Sequence, residues 1–260
     1  MKDCQLKNKL KSGEIVLGTW TVISSPTLTE IMGSSGLDFI IIDHEHGPFD
    51  FDTSENMIRA AENVGCTPLI RVPENNQSYI LRALEIGSHG ILVPQIENRN
   101  EASHAIDSIY YSPMGSRGVS AFTRASGFNA MGVKGRNILV NDKILSILLV
   151  ETAEALSNID EITEIEGIDV IYIGTYDLSH SLGTPDDVYS VEVMSALEKA
   201  VKIIRNKGLA CGVLAQSEKD VGRWSGLGFQ FIPYLAECGI IKETFESKFK
   251  NLRLASKSEV

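Results

Sequence analysis

Along this chain, short unbroken runs of aliphatic residues alternate with longer stretches whose apolar positions recur every three or four residues. The runs at 14–20, 38–43, 67–72, 90–94, 146–151, 169–174, 209–215 and 229–235 predict β-strands. They do not alternate apolar with polar, so both faces are expected to be buried, as in a parallel sheet covered by helices. The stretches at 53–64, 77–86, 99–110, 152–165 and 191–207 predict helices; in the last, Val193, Met194, Leu197, Val201 and Ile204 recur at helical spacing. Gly65, Gly87 and Gly208 fall just past helical patterns, where a left-handed cap is wanted. Eight strand–helix units in series predict one α/β domain over 1–260, a (β/α)8 TIM barrel. The competing arrangement is a doubly wound open sheet, but no Gly-rich loop follows the first strand. Residues 112–142, rich in Gly, Ser and Arg, read as a long excursion after the helix of the fourth strand, placed to cover an active site.

Composition narrows the partners rather than the fold. With 43% hydrophobic and 22% charged residues the chain can bury a core without disulfides. Its formal charge of −10 argues against nucleic acid or an anionic membrane as partner. No apolar run is long enough to span a bilayer. Cys4, Cys66, Cys211 and Cys238 are far apart and form no CxxC pair, which suits free thiols in a reducing compartment. Lys7, Lys9 and Lys11 follow the start without an apolar core, so no secretory signal is expected and the cytoplasm is the default location.

In a closed barrel the reacting groups gather at the C-terminal ends of the strands. Those ends carry Trp20, then Asp43, His44, Glu45 and His46, then Arg71, Pro94, Gln95, Glu151, Asp177, Gln216 and Glu237. Glu151 emerges from the apolar run ILSILLV, where an unpaired buried carboxylate is costly. Asp177 occupies the matching place after the next strand, and two such carboxylates repel. A divalent cation that prefers oxygen ligands, Mg2+ or Mn2+, relieves this. The alternative makes Asp177 a helix cap and pairs Glu151 with an arginine. His44 and His46, two apart, could share zinc, yet His89, His104 and His180 are not placed to complete such a site. A lone histidine here suits a general base or proton relay oriented by Asp43 or Glu45. The plainer alternative is a loop histidine without chemical duty. Arg71 suits a carboxylate or a developing oxyanion. None of the fourteen lysines ends a strand, which argues against Schiff-base chemistry.

Six segments in order, DFIIIDHEHGPFD, PLIRVP, ALEIGSHGILVPQIEN, SPMGSRGVSAFTRAS, LLVETAEALSNIDEI and IYIGTYDLSHSLG, resemble the HpcH/HpaI aldolase family. The likeness runs from about Gly18 to Gly183 at the family's spacing and continues more loosely to the end. It implies a metal-dependent class II pyruvate aldolase of the phosphoenolpyruvate/pyruvate barrel superfamily, cleaving a 4-hydroxy-2-oxo acid to pyruvate and an aldehyde. By motif position, Glu151 and Asp177 resemble the family's metal ligands, with Mg2+, Mn2+ or Co2+ as the ion. His46 resembles the catalytic histidine, and Arg71 the arginine that stabilises the enolate-like transition state. Glu85 falls where the family commonly has an aspartate that raises the histidine's basicity. The backbone of Gly174, Thr175, Tyr176 and Asp177 resembles the loop that holds the pyruvate carboxylate. The resemblance also implies a homo-oligomer, a trimer of dimers, with an exchanged C-terminal helix near 240–254. One departure stands out: Leu149 replaces a glutamine that the family typically places two residues before the metal-ligand glutamate. Two rival expectations follow: an acyl-CoA ester lyase of the citrate lyase β or malyl-CoA lyase type, and a barrel that binds an oxo acid without catalysis.

Overall fold

A computed structural model describes residues 5–128 and 136–256. Eight parallel strands close into a barrel in sequence order: β1 (Val16–Thr21), β2 (Phe39–Asp43), β3 (Thr67–Arg71), β4 (Gly90–Val93), β5 (Leu145–Val150), β6 (Val170–Ile173), β7 (Ala210–Val213) and β8 (Phe231–Ala236). Every predicted run overlaps one of them, with its ends displaced by no more than two residues. Helix α1 (Gln5–Lys11) precedes the barrel, and α2 (Pro26–Ser34), α3 (Phe51–Asn63), α4 (Gln77–Glu85) and α5 (Arg99–Ile109) follow β1 to β4. After α6 (Arg136–Asn141) and β5 come α7 (Ala153–Ser157) and α8 (Ile159–Ile162). Then α9 (Thr175–Ser181) and α10 (Val191–Asn206) follow β6, α11 (Glu218–Leu227) follows β7, and α12 (Glu237–Ala255) follows β8. The helix predicted over 152–165 is therefore two short ones. Asn158 sits between them and donates its side-chain amide to the Glu97 carbonyl at 2.9 Å.

The unbroken aliphatic runs divide into two cores by the two-residue period of a strand. Phe39, Ile41, Leu69, Leu145, Ile147, Leu149, Tyr172 and Phe231 fill the barrel interior. Ile40, Ile42, Ile70, Ile91, Leu148, Ile171 and Ile232 face outward under the helices. Continuing the inward set by one more step reaches the C-terminal rim: Asp43 after Ile41, Arg71 after Leu69, Glu151 after Leu149 and Gly174 after Tyr172. The side chains that leave the core here thus do so in phase with it.

The excursion after α5 lies at the other end of the barrel. Each helix returns the chain to the N-terminal ends of the strands, so the described residues 112–128 and 136–142 belong there and do not cover the rim of this chain. Arg117 pairs with Glu85 of α4 at 2.8 Å, and Arg124 bonds the Glu62 carboxylate of α3. The Asn141 side chain brackets the Tyr111 backbone with two bonds of 2.9 Å. Residues 129–135 lie outside the described part of this segment. At the same end Lys7 of α1 bonds the Ile144 carbonyl at 2.7 Å and Asp169 at 2.9 Å. Cys66, Cys211 and Cys238 are free thiols, and burial pushes those of Cys66 and Cys211 up to about 12. Cys4 lies outside the described residues. Among those described, no helix is long and apolar enough to cross a membrane.

Candidate active site

At the C-terminal rim a cleft of about 350 Å3 is lined by Asp43, His46, Arg71, Glu151, Thr175 and Asp177, together with an apolar set that includes Trp20 and Leu149. Asp43 and Arg71 are directly opposed in the β2–β3 register. The buried Asp43 carboxylate accepts from Arg71 Nε at 2.8 Å and Nη2 at 2.5 Å. Glu45 takes the remaining side of the guanidinium at 2.9 Å from Nη1. Trp20 lies against its face, 4.4 Å from the ring centroid. Arg71 is therefore locked by two bidentate-capable carboxylates and an aromatic plane. Neither acid orients a histidine, as the sequence had left open. Asp43 instead shapes the turn, accepting the Glu45 and His46 N–H groups at 3.1 and 3.3 Å.

The two histidines of this turn part company. His44 shares a 2.8 Å hydrogen bond with Ser54 and packs against Phe49 and Phe51, and burial holds its imidazole below the ordinary range. His46 is exposed and lines the cleft, and among the described residues no side chain hydrogen-bonds its ring. Their opposite orientations remove the shared zinc site.

Glu151 and Asp177 face the cleft from just beyond the adjacent strands β5 and β6. Asp177 stands in the first turn of α9, whose N-cap is Gly174, so the capping alternative does not hold. The arginine alternative for Glu151 fails too, because Arg71 is taken by Asp43 and Glu45. Burial, then the charges of Asp177 and Glu45, push the Glu151 carboxyl up to about 7, against a weak 3.2 Å hydrogen bond from the Gln95 N–H. Gln95 holds a left-handed φ of 58°, a cost that non-glycine residues accept mainly at functional sites. A Cβ on Gly174 would come within 2.9 Å of the Glu151 Cβ and 3.1 Å of Oε2, so glycine makes room for this carboxylate. The donors fit a hard divalent cation, which binds through one or two carboxylates and takes its other oxygens from water or substrate. Among the described residues no cluster of three or more His, Cys, Asp or Glu forms a complete cage.

Glu85 does not join the cleft. It ends α4 at the opposite end of the barrel, bonded to Arg117 at 2.8 Å and to the Tyr111 hydroxyl at 3.4 Å. Its expected support of His46 is absent within one protomer. Three rim residues shape the site in roles that the sequence did not reveal: Asp43 and Glu45 through Arg71, and Glu237 through the loop after β1. Buried Glu237 accepts from the Thr21 hydroxyl at 2.7 Å and from the Val22 and Ile23 N–H groups at 2.7 and 2.5 Å.

The rim of this parallel barrel thus joins paired carboxylates, an immobilised arginine and an open histidine. The family model described as HpcH/HpaI aldolase/citrate lyase matches residues 17–235, and the chain belongs to this family. It is 35% identical over 227 residues to a 2-keto-3-deoxy-L-rhamnonate aldolase of Escherichia coli, covering 87% of this chain and 84% of that one. It is 32% identical over 222 residues to a 2-dehydro-3,6-dideoxy-6-sulfogluconate aldolase of Pseudomonas putida, covering 85% and 86%. Among solved structures, an HpcH/HpaI aldolase/citrate lyase family protein from Burkholderia cenocepacia superposes with a TM-score of 0.89 at 26% identity, covering 96% of this chain and 99% of that one.

Proposed function

We propose that the protein is a class II pyruvate aldolase, a carbon–carbon lyase that cleaves a 4-hydroxy-2-oxo acid of the 2-keto-3-deoxy acid type to pyruvate and an aldehyde. The observation that carries this reading is the convergence of His46, Arg71, Glu151 and Asp177 on one cleft. Glu151 and Asp177 would hold Mg2+ or Mn2+, and the ion supplies Lewis acidity toward the 2-oxo group. The backbone N–H groups that open α9, at Thr175 and Tyr176, are free of helical partners and suit the substrate carboxylate. His46 accepts the proton of the 4-hydroxyl. The C3–C4 bond then breaks, the aldehyde departs, and the bonding pair passes to the enolate of pyruvate. Arg71, already rigid, faces the developing oxyanion without reorganising. A proton returned to C3 completes pyruvate.

Arg71 is the one lysine or arginine among the described lining residues, which favours a free oxo acid over a polyphosphorylated CoA ester. A second copy of the chain is supported by α12, whose Phe245, Phe249, Leu252 and Leu254 are all more than half exposed. The test is pyruvate release from a 4-hydroxy-2-oxo acid before and after chelation. Turnover should stop on chelation and return with Mn2+, and borohydride with pyruvate should not inactivate the enzyme. Chelator-resistant turnover or borohydride inactivation would overturn the reading.

A further inference from the structure

The cleft is polar on one arc and apolar on the other, and the division follows the strand order. Going round the barrel from β2 to β6, the lining carries Asp43, His46, Arg71, Glu151 and Asp177, with Leu149 and Tyr172 set among them. The neighbouring arc, β7–β8–β1, presents Leu214, Leu235, Ala236, Trp20 and Val22. Leu149 belongs to β5, two residues before Glu151; it is 2% exposed and joins Trp20 and Tyr172 in the inner core.

Most hydrogen-bonding groups beside the apolar arc are engaged elsewhere. Thr19 donates its hydroxyl to the Tyr234 carbonyl at 2.9 Å. Thr21 donates to Glu237 Oε1, which also accepts from the backbone of Val22 and Ile23; Glu237 does not line the cleft, and its Oε2 is buried without a partner. The Trp20 ring is occupied by Arg71 on its face and by Tyr172 at 5.7 Å in an edge arrangement. A hydroxyl or carboxylate pressed against Leu214, Leu235, Ala236 and Val22 would lose water and gain no partner from those side chains.

We infer that the aldehyde part of the substrate is apolar, an aliphatic or aryl chain without a polyol or a second acid group. This rests on the pyruvate aldolase reading: the polar arc takes the 2-oxo acid end, and the β7–β8–β1 arc takes the rest. Leu214, Leu235 and Val22 then act as specificity determinants through shape and dryness.

The experiment has two arms on the Mn2+-loaded enzyme. The first follows exchange of the pyruvate methyl protons with solvent deuterium by NMR, which reads enolisation without any aldehyde. The second measures kcat/KM for aldol addition of pyruvate to three four-carbon acceptors: butanal, erythrose and 4-oxobutanoate. Exchange together with a preference for butanal of about tenfold or more supports the inference. In Leu214→Asn that ratio should fall toward one, and because it is internal to each preparation, loss of folded protein does not move it. Exchange with equal or better use of erythrose or 4-oxobutanoate overturns the apolar assignment and leaves the aldolase reading standing. No exchange overturns the aldolase reading and the inference with it.

Discussion

Replacing Asp43 by Asn tests whether Arg71 works because it is held. The substitution keeps the volume of a side chain that is 3% exposed, and its remaining oxygen can still accept the Glu45 and His46 N–H groups. It removes the charge that faces Arg71 Nε and Nη2 and sets an amide N–H against one of them. Breaking a buried ion pair costs about 3–5 kcal/mol. Glu45 still contacts Nη1, so the expected loss of folding stability is nearer to about 2–3 kcal/mol. The same freedom lets the guanidinium leave its catalytic direction, and a loss of ~2.7 kcal/mol in the transition state is about 100-fold in kcat/KM. Urea unfolding reads the first quantity and pyruvate release coupled to NADH oxidation reads the second. A double-mutant cycle with Arg71→Gln should give a coupling of about 2 kcal/mol. Coupling below about 0.5 kcal/mol, with activity near wild type, would refute the clamp.

Three further outcomes follow from other residues. Burial alone would raise the Glu62 carboxyl, but hydrogen bonds from His89 and Arg124 outweigh it and bring it from 4.5 down to about 2. A depressed carboxyl adds stability above its unfolded value and loses it as pH falls toward the folded one. The difference in unfolding free energy between wild type and Glu62→Gln, read from urea unfolding, should therefore be full at neutral pH, on the order of 1–2 kcal/mol after solvent screening, and close between about pH 4.5 and 2. Glu237→Ala strips the acceptor from Thr21, Val22 and Ile23, and should lower stability by about 2–4 kcal/mol while Glu237→Gln recovers much of it. Gly174→Ala drives a methyl group onto Glu151 and should cut kcat/KM by about tenfold or more, checked in the same coupled assay.

The barrel was legible because burial on both strand faces leaves unbroken aliphatic runs, and the run length marks where the core ends. Glu151, Arg71 and Asp43 could be placed at the rim for the same reason: each extends the inward parity of its strand. Which partner each one takes was not legible. Two acids beside His46 looked available to a histidine, whereas the β2–β3 register sets Asp43 against Arg71, a cross-strand fact no linear spacing contains. Glu85 and the described residues of the 112–142 excursion lie at the far end of the barrel for a common reason. Glu85 ends α4 and the excursion follows α5, and a helix carries the chain back to that end. The break at Asn158 was hidden because α7 and α8 share one helical periodicity, and only the pull of the Glu97 carbonyl separates them.

The central claim is that Glu151 and Asp177 hold a divalent cation that the pyruvate chemistry requires. The most direct measurement titrates Mn2+ into metal-free protein and follows water-proton relaxation alongside exchange of the pyruvate methyl protons. Wild type should bind the ion and show exchange that rises with occupancy. Glu151→Gln with Asp177→Asn should weaken binding by at least about 100-fold and abolish exchange. Undiminished Mn2+ binding in the double variant, or exchange in wild type under excess chelator, would contradict the account.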